Sequence, residues 1–245
     1  IIKGLQRLEY RGYDSAGISL FDGKDIHLAK TKGKVEDLKN KAESTIPTEG
    51  KLGLGHTRWA THGVPSEANA HPHCASTRCD HRIAVAHNGI IENHATLRQY
   101  LQRKEHTFHS ETDTEVLAVL IAELYDGQLE SAVQAALRQV TGAYAIAVVC
   151  DIEPHTLICA RKGSPLLIGI CEKSYVVASD PSAIISHTNQ VITLDDCQVA
   201  RLCAGSNDNL SQAYGAWSVA FRTTTIDNVP IPKQINELEF DLEQI

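Results

Sequence analysis

The chain has 245 residues, 42% hydrophobic and 22% charged, with a formal net charge of −7. These proportions suit a globular fold with a sizeable core, and the acidic balance argues against the basic face that nucleic-acid binding needs. No apolar run approaches the ~18 residues needed to span a bilayer, and seven cysteines, several in runs such as "IAVVC" and "TLICA", suit a reducing, cytoplasmic setting better than a disulfide framework.

In chain order, Ile1, Ile2, Leu5 and Leu8 share one helical face, with no capping Ser, Thr, Asp or Asn before them. "GISLF" and "DIHLAK" flank Asp22-Gly23 as a hairpin. "KVEDLKNKA" predicts a short helix with Val35, Leu38 and Ala42 on one face. "KLGLGHTRW" reads as a strand running into a polar loop that lasts to about His81. "RIAVAH" is a further strand, followed by Asn88-Gly89 and a helix over His94 to Lys104. Thr112-x-x-Glu115 forms a capping box before "VLAVLIAELY". Leu129, Val133, Ala136, Leu137 and Val140 mark another helix that Gly142 ends.

From Ala143 onward strands dominate ("AYAIAVV", "TLICAR", "PLLIGI", "SYVVAS", "QVITL", "QVARL", "WSVAFR"), with one helical turn at "DPSAIIS". Leu238, Leu242 and Ile245 return to helical spacing without a closing Gly or Asn, so both ends read as cut. Strands and helices in runs, joined by hairpin-length turns, predict a single α+β domain with antiparallel sheets.

Polar residues concentrate in "GHTRWATHGVPSEANAHPH", where Arg58, Trp59, Thr61, His62 and His71 lie close together without apolar period. A loop of this kind at a strand end suits binding, and Arg58 could clamp a carboxylate with its two-pronged donors; a solvent-facing Arg beside a packed Trp is the plainer alternative. Asn88-Gly89 is either a hairpin turn or a donor pair for an oxyanion. Asp113 either complements a helix dipole or binds a substrate ammonium. His71, His73, Cys74, Cys79 and His81 are spaced too loosely for a recognised zinc site, so no metal is expected. Phosphate-binding glycine loops and the G-x-S-x-G elbow are absent.

Taken together, "LEYRGYDSAG", "GHTRWATHG", "NAHPH", "HNGIIEN" and "SETDTE" resemble the glutaminase domain of the glutamine–fructose-6-phosphate aminotransferase (glucosamine-6-phosphate synthase) family. The likeness runs on through "GAYAIAVV", "RKGSPLLIG" and "ASDPSAI" to "ELEFDLEQI". The glutaminase domain of amidophosphoribosyltransferases shares the fold but resembles the chain less. The resemblance implies a four-layer αββα sandwich of two antiparallel sheets, of the N-terminal nucleophile hydrolase type. It also implies a Cys at the mature N-terminus that attacks the glutamine side-chain amide, giving a thioester and ammonia without a cofactor.

On that likeness Asn88 and Gly89 are the oxyanion donors, Arg58 holds the α-carboxylate and Asp113 the α-ammonium. Trp59, Thr61 and His62 belong to a loop that closes over glutamine, with His71 nearby. The nucleophile would head a strand some fifteen residues upstream of Ile1 (a family expectation), and no interior Cys can replace it. A sugar isomerase domain binding fructose 6-phosphate would follow Ile245, in a homo-oligomer. By itself the chain is then either an inactive piece of the enzyme or a non-catalytic amino-acid-binding domain. "CASTRCDH", after His73, is longer than the family's usual turn.

Overall fold

In the computed structural model, which describes residues 1–47, 49–59, 63–205 and 218–238, the opening apolar face becomes α1 (Ile2–Leu8), with Leu5 buried. The predicted hairpin follows as β1 (Ser15–Phe21) and β2 (Ile26–Lys32), paired antiparallel. Asp22 closes its turn by accepting the backbone N–H groups of Lys24 and Asp25 on one carboxylate oxygen. Then come α2 (Val35–Thr45) and β3 (Leu52–Arg58). β4 (His73–Ser76), β5 (Arg82–Ile91), α3 (His94–Arg103), α4 (Asp113–Glu123) and α5 (Leu129–Leu137) form the middle of the chain. The strand-rich part holds β6 (Gly142–Cys150), β7 (Thr156–Lys162), β8 (Leu167–Ile170), β9 (Tyr175–Ala178) and β10 (Gln190–Thr193). It ends with β11 (Gln198–Gly205), β12 (Ser218–Thr225) and β13 (Asn236–Glu237).

Every named strand pairs antiparallel, in three sheets among the described residues: β12-β11-β7-β6-β5-β4, β2-β1-β3 and β13-β10-β8-β9. Side-chain alternation sets the layers. Ile83 and Val85 of β5, with Ile146 and Val148 of β6, face α4 and α5. Ala84 and Ala86 face the other way, onto Phe21, Ile26 and Leu54 of the three-stranded sheet. Ala145, Cys159 and Ala200 pack on Ile168 and Ile192 of the four-stranded sheet. Ala16, Ile18 and Ala29 then meet Leu5, Val35 and Leu38 of α1 and α2. The order of layers is helix, sheet, sheet, helix, as expected for an α+β sandwich. The second sheet layer is divided, because β3 and β9 each end their sheets and are not paired with one another.

All eleven residues of α4 are buried. It has no polar face because the six-stranded sheet lies on one side and α3 and α5 on the other. Each of its fully buried Leu, Ile or Val side chains contributes ~1.5–3 kcal/mol. Thr112 caps it by accepting the Glu115 N–H at 3.2 Å. Glu115 reaches past the cap position to the backbone N–H groups of His109 and Ser110, both at 2.7 Å, so only half of the predicted capping box is formed.

Four readings need correction. Asn88-Gly89 is no hairpin: β5 continues through it to Ile91, paired with β6. The polar loop contains β4, whose partner β5 lies beyond it, a pairing that composition cannot signal. α5 stops at Leu137, where i−3 hydrogen bonds at Gln139 and Val140 tighten the chain, and Gly142 opens β6. Leu238 follows a two-residue strand, not a helix; Leu242 and Ile245 lie outside the described residues, as does Trp217 of "WSVAFR". No helix among the described residues is long and apolar enough to cross a membrane.

Candidate active site

Along β3 the inward-facing residues are Leu52, Leu54, His56 and Arg58; along β5 they are Ala84, Ala86 and Asn88. The space between the sheets therefore turns from apolar to polar toward one end. There it opens into a cleft of about 1140 Å³ whose lining includes Arg58, Trp59, His71, Asn88, Gly89 and Asp113.

Arg58 is buried, 4% exposed. It donates through NH2 to the Gly63 carbonyl at 3.1 Å, and NH1 lies 3.8 Å from an Asp14 carboxylate oxygen. Burial lowers its pKa, and the carboxylates of Asp14, Asp113 and Glu111 oppose that shift. Asp113, at the first position of α4, accepts the Ile91 backbone N–H on Oδ2 at 2.8 Å. The link ties the helix start to the end of β5, so Asp113 and the Asn88-Gly89 segment form one unit.

Gly89 has φ +127°, and a Cβ there would sit 2.1 Å from the Ala143 carbonyl oxygen of β6. Only glycine follows this path without displacing β6. Gly17 is similarly restricted, since a Cβ would lie 2.2 Å from the His71 carbonyl oxygen. β1 and the loop carrying His71 thus approach backbone to backbone.

Four buried histidines form one cluster, with His56 against Asn88. His56 stacks on His71 with ring centroids 4.3 Å apart, and His71 lies 5.1 Å from His73 and 6.5 Å from His87. His56 Nε2 is 2.8 Å from Asn88 Oδ1; His87 Nδ1 is 2.9 Å from Thr114 Oγ1; His73 Nε2 is 2.9 Å from Thr112 Oγ1. Burial pulls His56 down to about 4 and holds His71 and His73 well below the usual histidine range, with neighbouring rings and Arg58 adding to the effect. His87 is lowered by burial too, with Asp113 opposing. Burial thus disfavours the charged form of every ring in the cluster.

The structure thus brings Arg58, His71, Asn88, Gly89 and Asp113 to one cleft. Trp59, 68% exposed, stands at the rim with its indole against Gly12. Thr61 and His62 lie outside the described residues. Sequence reasoning gave no role to His56, Asp14 or His87. The signal for His56 was its place two residues before Arg58 in a strand, hence on the same face. Cys74 is half-buried and Cys79 exposed, and among the described residues no group of three His, Cys, Asp or Glu side chains is placed to hold a metal ion. Among the described residues no cysteine lines the cleft.

Arg58, Asp113 and the Asn88-Gly89 pair thus share one inter-sheet cleft of an α+β sandwich. A family model for the glutamine amidotransferase domain matches residues 42–216, and the chain belongs to that family. It is 50% identical over 202 residues to a glutamine–fructose-6-phosphate aminotransferase of Symbiobacterium thermophilum, covering 82% of this chain and 32% of that protein. Against the Chlorobaculum tepidum enzyme of the same name it is 42% identical over 251 residues, covering the whole chain and 38% of the relative. The chain therefore spans about a third of the length of these relatives. Among solved structures, a glutamine phosphoribosylpyrophosphate amidotransferase from B. subtilis matches with a TM-score of 0.74 and 27% identity, covering 92% of this chain and 46% of that one. The fold is the N-terminal nucleophile hydrolase sandwich of those enzymes.

Proposed function

We propose that this chain is the glutaminase part of a glutamine–fructose-6-phosphate aminotransferase, releasing ammonia from glutamine for transfer to fructose 6-phosphate. The observation that carries the reading is the meeting of Arg58 and Asp113 with the Asn88-Gly89 donors in one cleft. Arg58 would fork the α-carboxylate and Asp113 would hold the α-ammonium, leaving the side-chain amide toward Asn88 and Gly89. The Asn88 side-chain N–H and the Gly89 backbone N–H would then stabilise the oxyanion that forms as the carbonyl is attacked. Trp59, Thr61, His62 and His71 would complete the glutamine site, the first three on a closing loop. Identities of 42–50% to aminotransferases, against 27% to the phosphoribosyl enzyme, favour the first acceptor.

The nucleophile is assigned to an N-terminal cysteine outside these 245 residues. The cleft supports this assignment: it runs between β3 and β9, the end strands of two sheets, and is lined by Ile18, Leu20, Leu54, Ala147 and Leu157. An extended segment could pair with both edges and bring its first residue to Asn88. The cysteine thiolate would attack the amide carbon, ammonia would leave with a proton passed on from the thiol through the cysteine's own amine, and water would then cleave the thioester. A sugar isomerase domain and a homo-oligomer belong to the same reading, as does inactivity of the chain by itself.

Expressed from its complete coding sequence, the protein should release glutamate from glutamine and aminate fructose 6-phosphate. Productive transfer to phosphoribosylpyrophosphate alone would overturn the acceptor; glutamine binding without hydrolysis would leave an amino-acid-binding domain. Arg58→Ala should raise the KM for glutamine by at least ~10-fold, the loss expected of a charge-assisted contact. An unchanged KM would remove Arg58 from the carboxylate role.

A further inference from the structure

We propose that His56 is a positioning residue that fixes the orientation of the Asn88 side-chain amide across the gap between the two sheet layers. The inference rests on the oxyanion role proposed for Asn88. His56 projects from β3 of the three-stranded sheet, Asn88 from β5 of the six-stranded one, and their side chains meet at 2.8 Å through Nε2 and Oδ1. An amide oxygen only accepts, so the proton of this bond sits on His56 Nε2.

The other ring nitrogen agrees with that tautomer. His56 Nδ1 is buried and has no hydrogen-bond partner among the described residues. A buried unpaired N–H is rarer than an unpaired acceptor, so the bare nitrogen belongs at Nδ1. Burial keeps the ring from taking a second proton near neutral pH. Stacking on His71 at 4.3 Å and 28° fixes the ring plane.

The consequence lies on the far side of the amide. An Asn side chain can turn over, exchanging oxygen for nitrogen at little cost unless a neighbour discriminates between them. Turned the wrong way, Asn88 would present Oδ1 to a developing oxyanion and repel it. The His56 N–H rewards one orientation, with Oδ1 toward β3 and the Nδ2 donors free to face the cleft. Preorganised donors are worth most in the transition state and little in substrate binding. His56 should therefore act on turnover, not on KM.

The test uses the full-length protein and glutamate release from glutamine. His56→Leu should lower kcat by about 30-fold or more and leave KM within about threefold. His56→Gln, whose terminal amide can place an N–H near Nε2, should recover about tenfold of that loss. In the Asn88→Ala background His56→Leu should cost no more than about threefold further, because the two residues act as one unit.

A near-normal kcat in His56→Leu, or full additivity with Asn88→Ala, would overturn the inference. If Asn88→Ala itself leaves kcat unchanged, the oxyanion assignment fails first and the positioning role falls with it. Should His56→Leu not fold, His56→Gln compared with His56→Asn decides the matter. The shorter Asn amide cannot span to Asn88, so the Gln protein should turn over about tenfold faster, and equal rates would refute the idea.

Discussion

Asp113→Asn separates the structural role of this side chain from the binding role proposed for it. Its Oδ2 accepts the Ile91 N–H at 2.8 Å, a contact an asparagine oxygen can keep. Its charge sits at the first position of α4 beside Arg58, in a site only 4% exposed. Removing the charge takes away the dipole interaction, ~0.3–1 kcal/mol. For a domain of this size that is a Tm loss of ~1–4 °C. If the same carboxylate also binds the glutamine ammonium, a charge-assisted contact of ~1.5–3 kcal/mol goes with it. That corresponds to a ~10- to 150-fold rise in KM at nearly constant kcat, since the ammonium is held alike in ground and transition states. Steady-state glutaminase kinetics, paired with a thermal melt, read both quantities. A KM within about threefold of the parent, alongside the expected drop in Tm, would show Asp113 to be a structural link between α4 and β5 only.

Gly89→Ala should cost at least ~2 kcal/mol in chemical denaturation, since it combines a positive φ with a Cβ 2.1 Å from the Ala143 oxygen; wild-type stability would mean that β5 has another path here. Burial alone would raise the Glu123 carboxyl, but hydrogen bonds from Lys104, Arg78 and His106 hold it at about 2. Its contribution, at most ~3 kcal/mol because Arg78 is solvent-screened, is complete above the unfolded carboxyl range and fades as pH falls toward 2. Glu123→Gln should therefore be less stable than the parent at pH 7, and the gap should close in acid; a constant gap from about pH 7 to 2.5 would refute the ion cluster's role.

The layered fold was legible because its signals are local. The strand runs from Ala143 onward, the Asp22-Gly23 turn and the Val35–Leu38–Ala42 face each depend on residues close in sequence, and each is found in place among the described residues. β4 was hidden because its evidence lies in β5. Asn88-Gly89 misled for a different reason: Asn-Gly favours a tight turn by itself, but here the glycine serves close passage past Ala143 within a continuing strand. Arg58 and Asp113 could be suspected as charged residues at a strand end and a helix start. That both face one cleft is a tertiary fact. His56 went unassigned since a lone histidine in a strand has no pattern that announces its partner.

The charge balance of the cleft follows from the same alternation. Arg58 contributes a fixed positive charge, with Asp14, Asp113 and Glu111 near enough to favour it. His56, His71 and His87 line the same cleft, and a protonated ring among them would repel the ammonium of the glutamine proposed to bind there. Burial disfavours the charged form of each ring in the cluster: it pulls His56 down to about 4, holds His71 and His73 well below the ordinary range, and lowers His87 too. Uncharged rings can stack at 4.3 Å and donate through a chosen nitrogen while the formal charges stay with Arg58 and the carboxylates. Replacing the rings with aliphatic residues would keep the pocket dry and neutral but would remove the donor facing Asn88 and the partners of Thr112 and Thr114. Neutral imidazole meets both demands, so burying these rings between two sheets lets the sandwich build a polar site without adding charge.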